Sequence, residues 1–247
     1  MADEIIVGRH PVAEALRSGR AMNKIWMNKG SQPFDQALMD LIKERHIAVK
    51  FVAKKQLDQI AGTDAHQGVA AAVGAHRYAE LEDLFRRAEA AGEAPFFVML
   101  DGLEDPHNLG SILRTADAAG VHGVIIPKNR AVGLTSTVAK ASTGAIEYVP
   151  VARVTNLART MEQMKERGVW FVGTDASAPQ DYRDFQADMP VCLVIGSEGK
   201  GLSRLVKQKC DFLLSIPMVG KVTSLNASVA AALLIYEVYR FRRPLGV

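Results

Sequence analysis

Cysteine is almost missing from this 247-residue chain, which carries only Cys192 and Cys210. Each lies in or next to an apolar strand-like run, so both read as reduced core thiols of a reducing compartment rather than a disulfide framework. Long hydrophobic runs are also missing. The longest, around residues 227–236, is too short to span a bilayer. The opening MADEIIVGRH starts acidic and lacks the apolar stretch of a secretory signal. A cytoplasmic protein with no membrane partner is expected. Charge of one sign is scarce: the formal net charge is +3. That excess permits a nucleic-acid partner and argues against a tail that binds by charge alone. The six histidines are scattered, none at ligand spacing to another or to a cysteine, so no metal is expected. No GxSxG elbow, no GxxxxGK[ST] frame and no GxGxxG after a strand can be drawn. Serine-hydrolase, P-loop NTPase and dinucleotide-binding readings therefore fall away.

What is present is an ordinary globular composition, 48% hydrophobic and 23% charged. The pattern divides the chain into residues 1–76, a connector at 77–94 and residues 95–247. The connector is Ala-rich and locally acidic, and Leu81, Leu84, Phe85 and Ala88 give it one helical apolar face. The first part alternates strand signals (IIVG, NKIWMN, AVKFVA, GVAAAVG) with helical ones, including a helix over 34–46 with Phe34, Leu38, Leu41 and Ile42 on one face. It reads as a small α/β layer module. The last part has continuous apolar strands, APFFVML, HGVIIP, VWFVGT, VCLVIG and DFLLSIP, separated by amphipathic helices. This is the signature of a parallel sheet covered on both faces, and ligands bind beyond the carboxyl ends of such strands.

The segments that follow those strands are polar and mostly glycine-containing, and they are the candidates to surround one site. In the first, Asn108 is expected at or near a helix N-cap, Gly110 permits close approach, and Arg114 follows about one turn into the helix, off its apolar face. Taken alone, Arg114 reads as a solvated cation or as an anion site for a nucleic-acid phosphate. The second, Ile195 to Ser203, holds Glu198 in a glycine-rich turn, as a turn or cap carboxylate or as a catalytic one. The third runs from Ile216-Pro217-Met218 to Ser224-Leu225-Asn226, with Ser224 or Asn226 capping a long helix to about Arg242. That helix is apolar around most of its circumference, which suggests burial against the sheet on one side and a partner subunit on the other.

Asn108-Leu109-Gly110 with Arg114, Leu193 through Ser203, and Ile216-Pro217-Met218 with Ser224 through Ala230 resemble, in order and spacing, the three motifs of SpoU-type RNA ribose 2′-O-methyltransferases of the SPOUT superfamily. Gly8-Arg9-His10-Pro11-Val12 and His66-Gln67-Gly68-Val69-Ala70 resemble the substrate-binding domain that one branch carries. The combination is similar to bacterial enzymes that methylate a guanosine ribose in large-subunit (23S) ribosomal RNA. The resemblance implies an α/β fold: a C-terminal parallel-sheet SPOUT domain with a deep trefoil knot, which general topology rules make rare, and a small N-terminal RNA-binding domain resembling a ribosomal protein. It implies S-adenosyl-L-methionine as methyl donor and a homodimer through the knotted domain.

On that resemblance Arg114, Asn108, Glu198, Ser224 and Asn226 are the catalytic candidates. Gly196, Ile216, Met218, Leu225 and Thr174 are the donor-binding ones. Arg114 is expected to hold a substrate phosphate and stabilise the developing alkoxide, because a guanidinium with a pKa above about 12 is a poor base. The same chemistry on transfer RNA is one alternative, and an RNA-binding protein without catalysis another. The joint presence of the five catalytic candidates argues against the latter.

Overall fold

A computed structural model describes residues 4–221 and 224–244. The chain forms two compact units, one of residues 1–77 with 134–148, the other of 78–133 with 149–247.

In the first unit β1 (Glu4–Val7), α1 (Arg9–Arg17), β2 (Met22–Asn28), α2 (Gln36–Glu44), β3 (Ala48–Val52), α3 (Lys54–Ala61) and β4 (Val69–Val73) follow one another. The sheet order is β1-β4-β2-β3. β4 runs antiparallel to both neighbours, and β2 and β3 are parallel. β4 is Val-Ala-Ala-Ala-Val and wholly buried, the composition of a central strand pressed from both faces. α1 buries Val12, Ala15 and Leu16. α2 buries Leu38 and Ile42 and is capped by Asp35, whose carboxylate accepts from Leu38 N at 2.9 Å. On β2, Ile25 and Met27 are buried, while Trp26, of opposite parity, packs with Leu57 of α3, Val7, Val52 and Ala70.

The second unit starts with α4 (Leu81–Ala91), β5 (Phe96–Asp101), α5 (Pro106–Ala118) and β6 (Gly123–Pro127). The chain then contributes α6 (Ser136–Ala141) to the first unit. It returns as β7 (Val151–Val154), α7 (Leu157–Lys165), β8 (Trp170–Thr174), β9 (Gln180–Asp181), β10 (Val191–Gly196), α8 (Arg204–Lys209), β11 (Phe212–Ser215) and α9 (Ala227–Arg242). The sheet order is β7-β6-β5-β10-β8-β11-β9, parallel throughout. Every strand therefore ends on the same edge, and the polar loops share that edge.

α4 is integral to this unit. Leu84 and Phe85 join a core with Phe97, Met99, Ile125, Met161, Phe171 and Cys192. A Cβ on Gly123 would lie 2.1 Å from Leu84 Cγ, so the first residue of β6 has to be glycine for α4 to pack. At the far end of α9, the Arg242 guanidinium donates to the carbonyls of Ala94, Pro95, Ala187 and Met189. It thereby ties the last helix to the entrances of β5 and β10. Cys192 is buried and Cys210 half-buried, both free. Burial pushes the Cys192 thiol well up and that of Cys210 to about 12.

Residues 134–148 belong with the first unit, a placement that no composition shift announces. α6 lies against β1 and is capped by Thr135, and the turn after it buries Ala145 and Ile146. The anchor is ionic. Arg20 donates to Glu4 Oε2 at 2.6 Å, to Glu147 Oε1 at 3.0 Å and to the Gly74 carbonyl at 2.8 Å. The side chains of Arg20 and Glu147 are only 8% and 6% exposed. His76 Nε2 lies 2.6 Å from Arg20 Nη1. A guanidinium only donates, so this nitrogen accepts and the ring is neutral. Burial and the neighbouring Arg20 bring the His76 pKa down to about 3. Burial raises Glu147, against the pull of Arg20.

Candidate active site

Asp101 closes β5, and the chain turns through Gly102 to Asp105, where α5 begins. Asp105, not Asn108, is the N-cap: its carboxylate accepts from His107 N at 3.0 Å, and Pro106 occupies the first helical turn. Asn108 is consequently inside that turn and buried. Arg114 then lies about two turns into α5 rather than one, because the helix starts earlier than Asn108 suggests. It is exposed, with no hydrogen-bond or ion-pair partner among the described residues.

Glu198 joins the three loops. Its Oε1 accepts from Asn108 Nδ2 at 3.0 Å, from Asn226 Nδ2 at 2.5 Å and from the Ala227 backbone N–H at 3.1 Å. Asn226 Nδ2 also donates to Asn108 Oδ1 at 2.9 Å. Of the two cap candidates, Asn226 caps α9: its Oδ1 accepts from Ser228 N at 2.9 Å and Val229 N at 3.3 Å. Every polar atom of the Asn226 amide is engaged. The Glu198 carboxylate sits at the positive end of a 16-residue helix, where an anion is favoured. The turn carboxylate and the functional candidate are thus the same group.

Two clefts flank the loop that follows β10. One, of about 530 Å³, is lined by Thr174, Ile195, Gly196, Leu214, Ile216, Met218, Leu225 and Ala230, with Asp175, Glu198, Lys207 and Ser224 supplying polar atoms. All five donor-binding candidates line it, and its size is that of a small-molecule site. The other, of about 420 Å³, is lined by Asp101, Glu104, Asp105, Asn108, Arg130, Lys200 and Ser203, and again by Ser197 and Glu198. Arg114 lines neither. Ser224 lines the first without joining the Glu198 network.

Gly196 is required by the loop itself. A Cβ there would stand 2.2 Å from Gly201 C and 2.5 Å from Leu202 N, so the loop backbone folds directly over the end of β10. Ser197 and Gly201 close this turn with reciprocal backbone hydrogen bonds. Asp175, which sequence reasoning places inside a candidate loop without singling it out, pairs with Lys207 and accepts from Ser177. Those contacts hold its carboxyl at about 2. Asp101 is likewise missed by sequence reasoning; it accepts from Ser203 N at 2.7 Å, fastening the base of the loop. Its signal is its position at a strand's carboxyl end.

The SpoU rRNA Methylase family profile matches residues 95–236, and a profile for RNA 2′-O ribose methyltransferase substrate binding matches residues 5–79. The chain belongs to the SpoU methylase family. YacO of Bacillus subtilis, provisionally named as a TrmH-family tRNA/rRNA methyltransferase, is 61% identical over 244 residues, 98% of each chain. Among solved structures, the SpoU methyltransferase AviRb of Streptomyces viridochromogenes in complex with AdoMet superposes with a TM-score of 0.81 at 28% identity, covering 98% of this chain and 91% of that one. The AdoMet-bound rRNA methyltransferase of Sinorhizobium meliloti gives 0.79 at 27% identity, covering 97% and 87%. A TrmH/SpoU tRNA-modifying enzyme of A. aeolicus gives 0.55 at 28% identity and covers 64% of this chain and 84% of its own. The protein is an RNA methyltransferase of the SpoU methylase family that uses S-adenosylmethionine. Among the described residues no helix is long and apolar enough to cross a membrane.

Proposed function

We propose that the protein methylates a guanosine ribose 2′-oxygen in large-subunit ribosomal RNA, in the cytoplasm. The observation that carries the chemistry is the Glu198 carboxylate, which fastens Asn108, Asn226 and the start of α9 at the wall between the two clefts. S-adenosylmethionine supplies an electrophilic methyl group on a sulfonium when bound. The larger cleft fits it by chemistry: Ile195, Leu214, Ile216, Met218 and Leu225 offer an apolar slot for an adenine, and Thr174, Ser224, Asp175 and Glu198 offer acceptors for hydroxyl and ammonium groups. Gly196 keeps the loop close enough to form that wall.

The smaller cleft is where the target nucleotide is expected to enter, since it shares Ser197 and Glu198 with the larger one. Arg114, exposed and unpaired among the described residues, is free to take an RNA phosphate bidentately and to stabilise charge developing on the 2′-oxygen. Orientation of the reacting groups is worth roughly 7–11 kcal/mol in well-aligned systems. Asn108, Glu198 and Asn226 contribute by rigidity, with Ser224 as a further positioning group.

We also infer a trefoil knot and a homodimer. In support of the knot, β11 lies beyond β8 from β10, while α9 packs back on β10 and α5. Ile216, Met218, Ser224 and Leu225, which lie between β11 and α9 in sequence, line the larger cleft together with the 196–202 loop. In support of the dimer, α9 buries Ala231, Leu234, Ile235 and Val238 on one side and leaves Val229 and Tyr236 each 47% exposed on the other. The first unit has the layered α/β build expected of a domain resembling a ribosomal protein.

Ribosomal RNA is favoured over transfer RNA because the likeness to the S. meliloti rRNA methyltransferase runs through both units, whereas the tRNA-modifying enzyme matches a smaller share of this chain. The test is transfer of labelled methyl from S-adenosylmethionine to large-subunit rRNA and to bulk tRNA, followed by mapping of alkali-resistant riboses. Label in a guanosine ribose of rRNA is expected. Label in tRNA alone replaces the substrate, and label in neither removes the enzymatic reading.

A further inference from the structure

The motif His66-Gln67-Gly68 lies outside the candidate methyl-transfer site, yet it is a tightly held turn of the first unit. His66 is 2% exposed. Its Nε2 lies 2.7 Å from Asp58 Oδ1 of α3, and its Nδ1 accepts from Gly68 N at 2.9 Å. Gln67 holds a left-handed φ of 53°, uncommon for a residue with a Cβ, and its Oε1 accepts from Arg9 N at 3.1 Å. A Cβ on Gly68 would come within 2.7 Å of Ser31 Cβ. The Arg9 guanidinium donates to the carbonyls of Gln32 and Pro33 at 2.6 and 2.8 Å. Gly68 O accepts from Asn28 N at 2.9 Å, and Lys29 N donates to Val52 O at 3.1 Å. The ends of β2 and β3, the 29–33 loop and the 66–68 turn are thus one rigid frame.

What that frame displays is unneutralised positive charge. Several other cations of the first unit are committed: Arg17 to Glu14 and Asp35, Arg20 to Glu4 and Glu147, Lys43 to Asp40, Arg9 and Arg45 to backbone carbonyls, and Lys24 to the Trp26 ring, whereas Lys50, Arg77 and Lys140 have no acidic partner among the described residues. Lys29, at the end of β2, and Lys54 and Lys55, which open α3, are exposed and have no acidic partner among the described residues. Beside them the edge strand β3 carries Phe51, 54% exposed, just before its buried last residue Val52. Free lysines on a preorganised frame next to an exposed aromatic ring match a nucleic-acid strand with unstacked bases. Phosphates pair with the ammonium groups, and a base face covers the ring.

We propose that this end of the sheet is the RNA contact of the first unit, with Lys29, Lys54 and Lys55 on backbone phosphates and Phe51 stacking an unpaired base. The proposal rests on the reading of the protein as an RNA methyltransferase and names the surface by which it holds its substrate.

The test uses the full chain, in vitro transcribed large-subunit rRNA as probe, and binding measured across a salt series. Removing one ammonium–phosphate pair lowers the slope of log K against log salt by about 0.7 on single strands. The Lys29→Ala/Lys54→Ala/Lys55→Ala variant is therefore expected to reduce that slope by about 2. Phe51→Ala is expected to weaken binding about tenfold or more without changing the slope, because stacking is uncharged. S-adenosylmethionine affinity, by calorimetry, stays at the parental value in both, and a parental denaturant midpoint read from Trp26 in a Trp170→Phe background excludes misfolding of the first unit. Lys43→Ala, removing a lysine already paired with an acid, leaves affinity and slope near parental. Parental affinity and slope in the triple variant overturn the surface, as does a change confined to sedimentation, which would assign these residues to a second copy of the chain. A parent chain that binds and methylates no RNA overturns the functional reading, and the surface falls with it.

Discussion

Asn108 and Asn226, 118 positions apart, share a hydrogen bond of 2.9 Å, and both amides donate to the same oxygen of Glu198. Both amides hold one oxygen of the carboxylate, so losing either donor loosens the tie between the loops. Asn226→Asp separates the two roles of this side chain. It keeps an oxygen for capping α9 but removes the Nδ2 donor and brings a second carboxylate to Glu198. Expected are a stability loss of about 1–3 kcal/mol and donor affinity down at least about tenfold. Adding Glu198→Gln relieves the repulsion, so the double variant is expected to be more stable than Asn226→Asp alone. Urea unfolding of the single and double variants gives the coupling directly.

At Gly196 even a methyl group collides with backbone rather than with a flexible side chain. Gly196→Ala is therefore expected to displace the 197–202 loop and weaken donor binding at least about tenfold, near 1.4 kcal/mol. RNA affinity should change little. Equal calorimetric donor binding by parent and variant would show that the loop yields without consequence.

Arg114 has no structural partner among the described residues, so Arg114→Ala should leave thermal stability and donor affinity nearly intact. Its turnover should fall by about 10²–10³, the scale of one preorganised electrostatic donor. Arg114→Lys keeps the charge but not the planar fork, and only slight rescue is expected. Single-turnover methylation of the three proteins checks this. Near-parental rates in Arg114→Ala would leave the residue a solvated surface cation.

The first unit should lose stability in mild acid through His76. The folded state holds this ring neutral down to about pH 3, whereas the unfolded chain protonates it near 6.5. Between those values the unfolded state binds the extra proton. Stability is then full above pH 6.5 and falls as pH drops toward 3, by at most about 1.4 kcal/mol per pH unit. Glu147, raised by burial, works in the opposite sense, gaining stability as it protonates. In a Trp170→Phe background the remaining Trp26 reports on the first unit alone. Denaturant midpoints from pH 7 to pH 5 should fall, and His76→Gln should flatten the profile.

The parallel sheet is legible in the sequence because its strands are continuous apolar runs, and their common direction brings the glycine-containing loops to one edge. The lining of the larger cleft is legible only in part by that logic: Thr174 and Gly196 end strands and Ile216 follows one, whereas Met218 and Leu225 stand out through the family resemblance alone. What escapes has weaker local signals. β7 is four residues behind a proline, β9 only two, and α3 presents a single buried residue, Leu57, for a period to be read from. The start of α5 is misplaced by sequence because Asn108 is a good cap residue in isolation, whereas Asp105-Pro106 is the better pair. Asn108, inside the first turn instead of capping it, turns its amide onto Glu198. The network itself is not readable at all: three loops supply it, and sequence carries no distance between them.

The main chain passes between the two units at residues 77–78, 133–134 and 148–149. A substrate-recognition module joined by one passage could be cut off, transplanted or inherited as a cassette. This one could not. A fragment ending at residue 77 would abandon Glu147, leaving Arg20 and His76 facing one carboxylate fewer, and would strip α6 from β1. The two units are interleaved along the gene, so that exchanging the first for a counterpart requires moving a terminal stretch and an internal insert together.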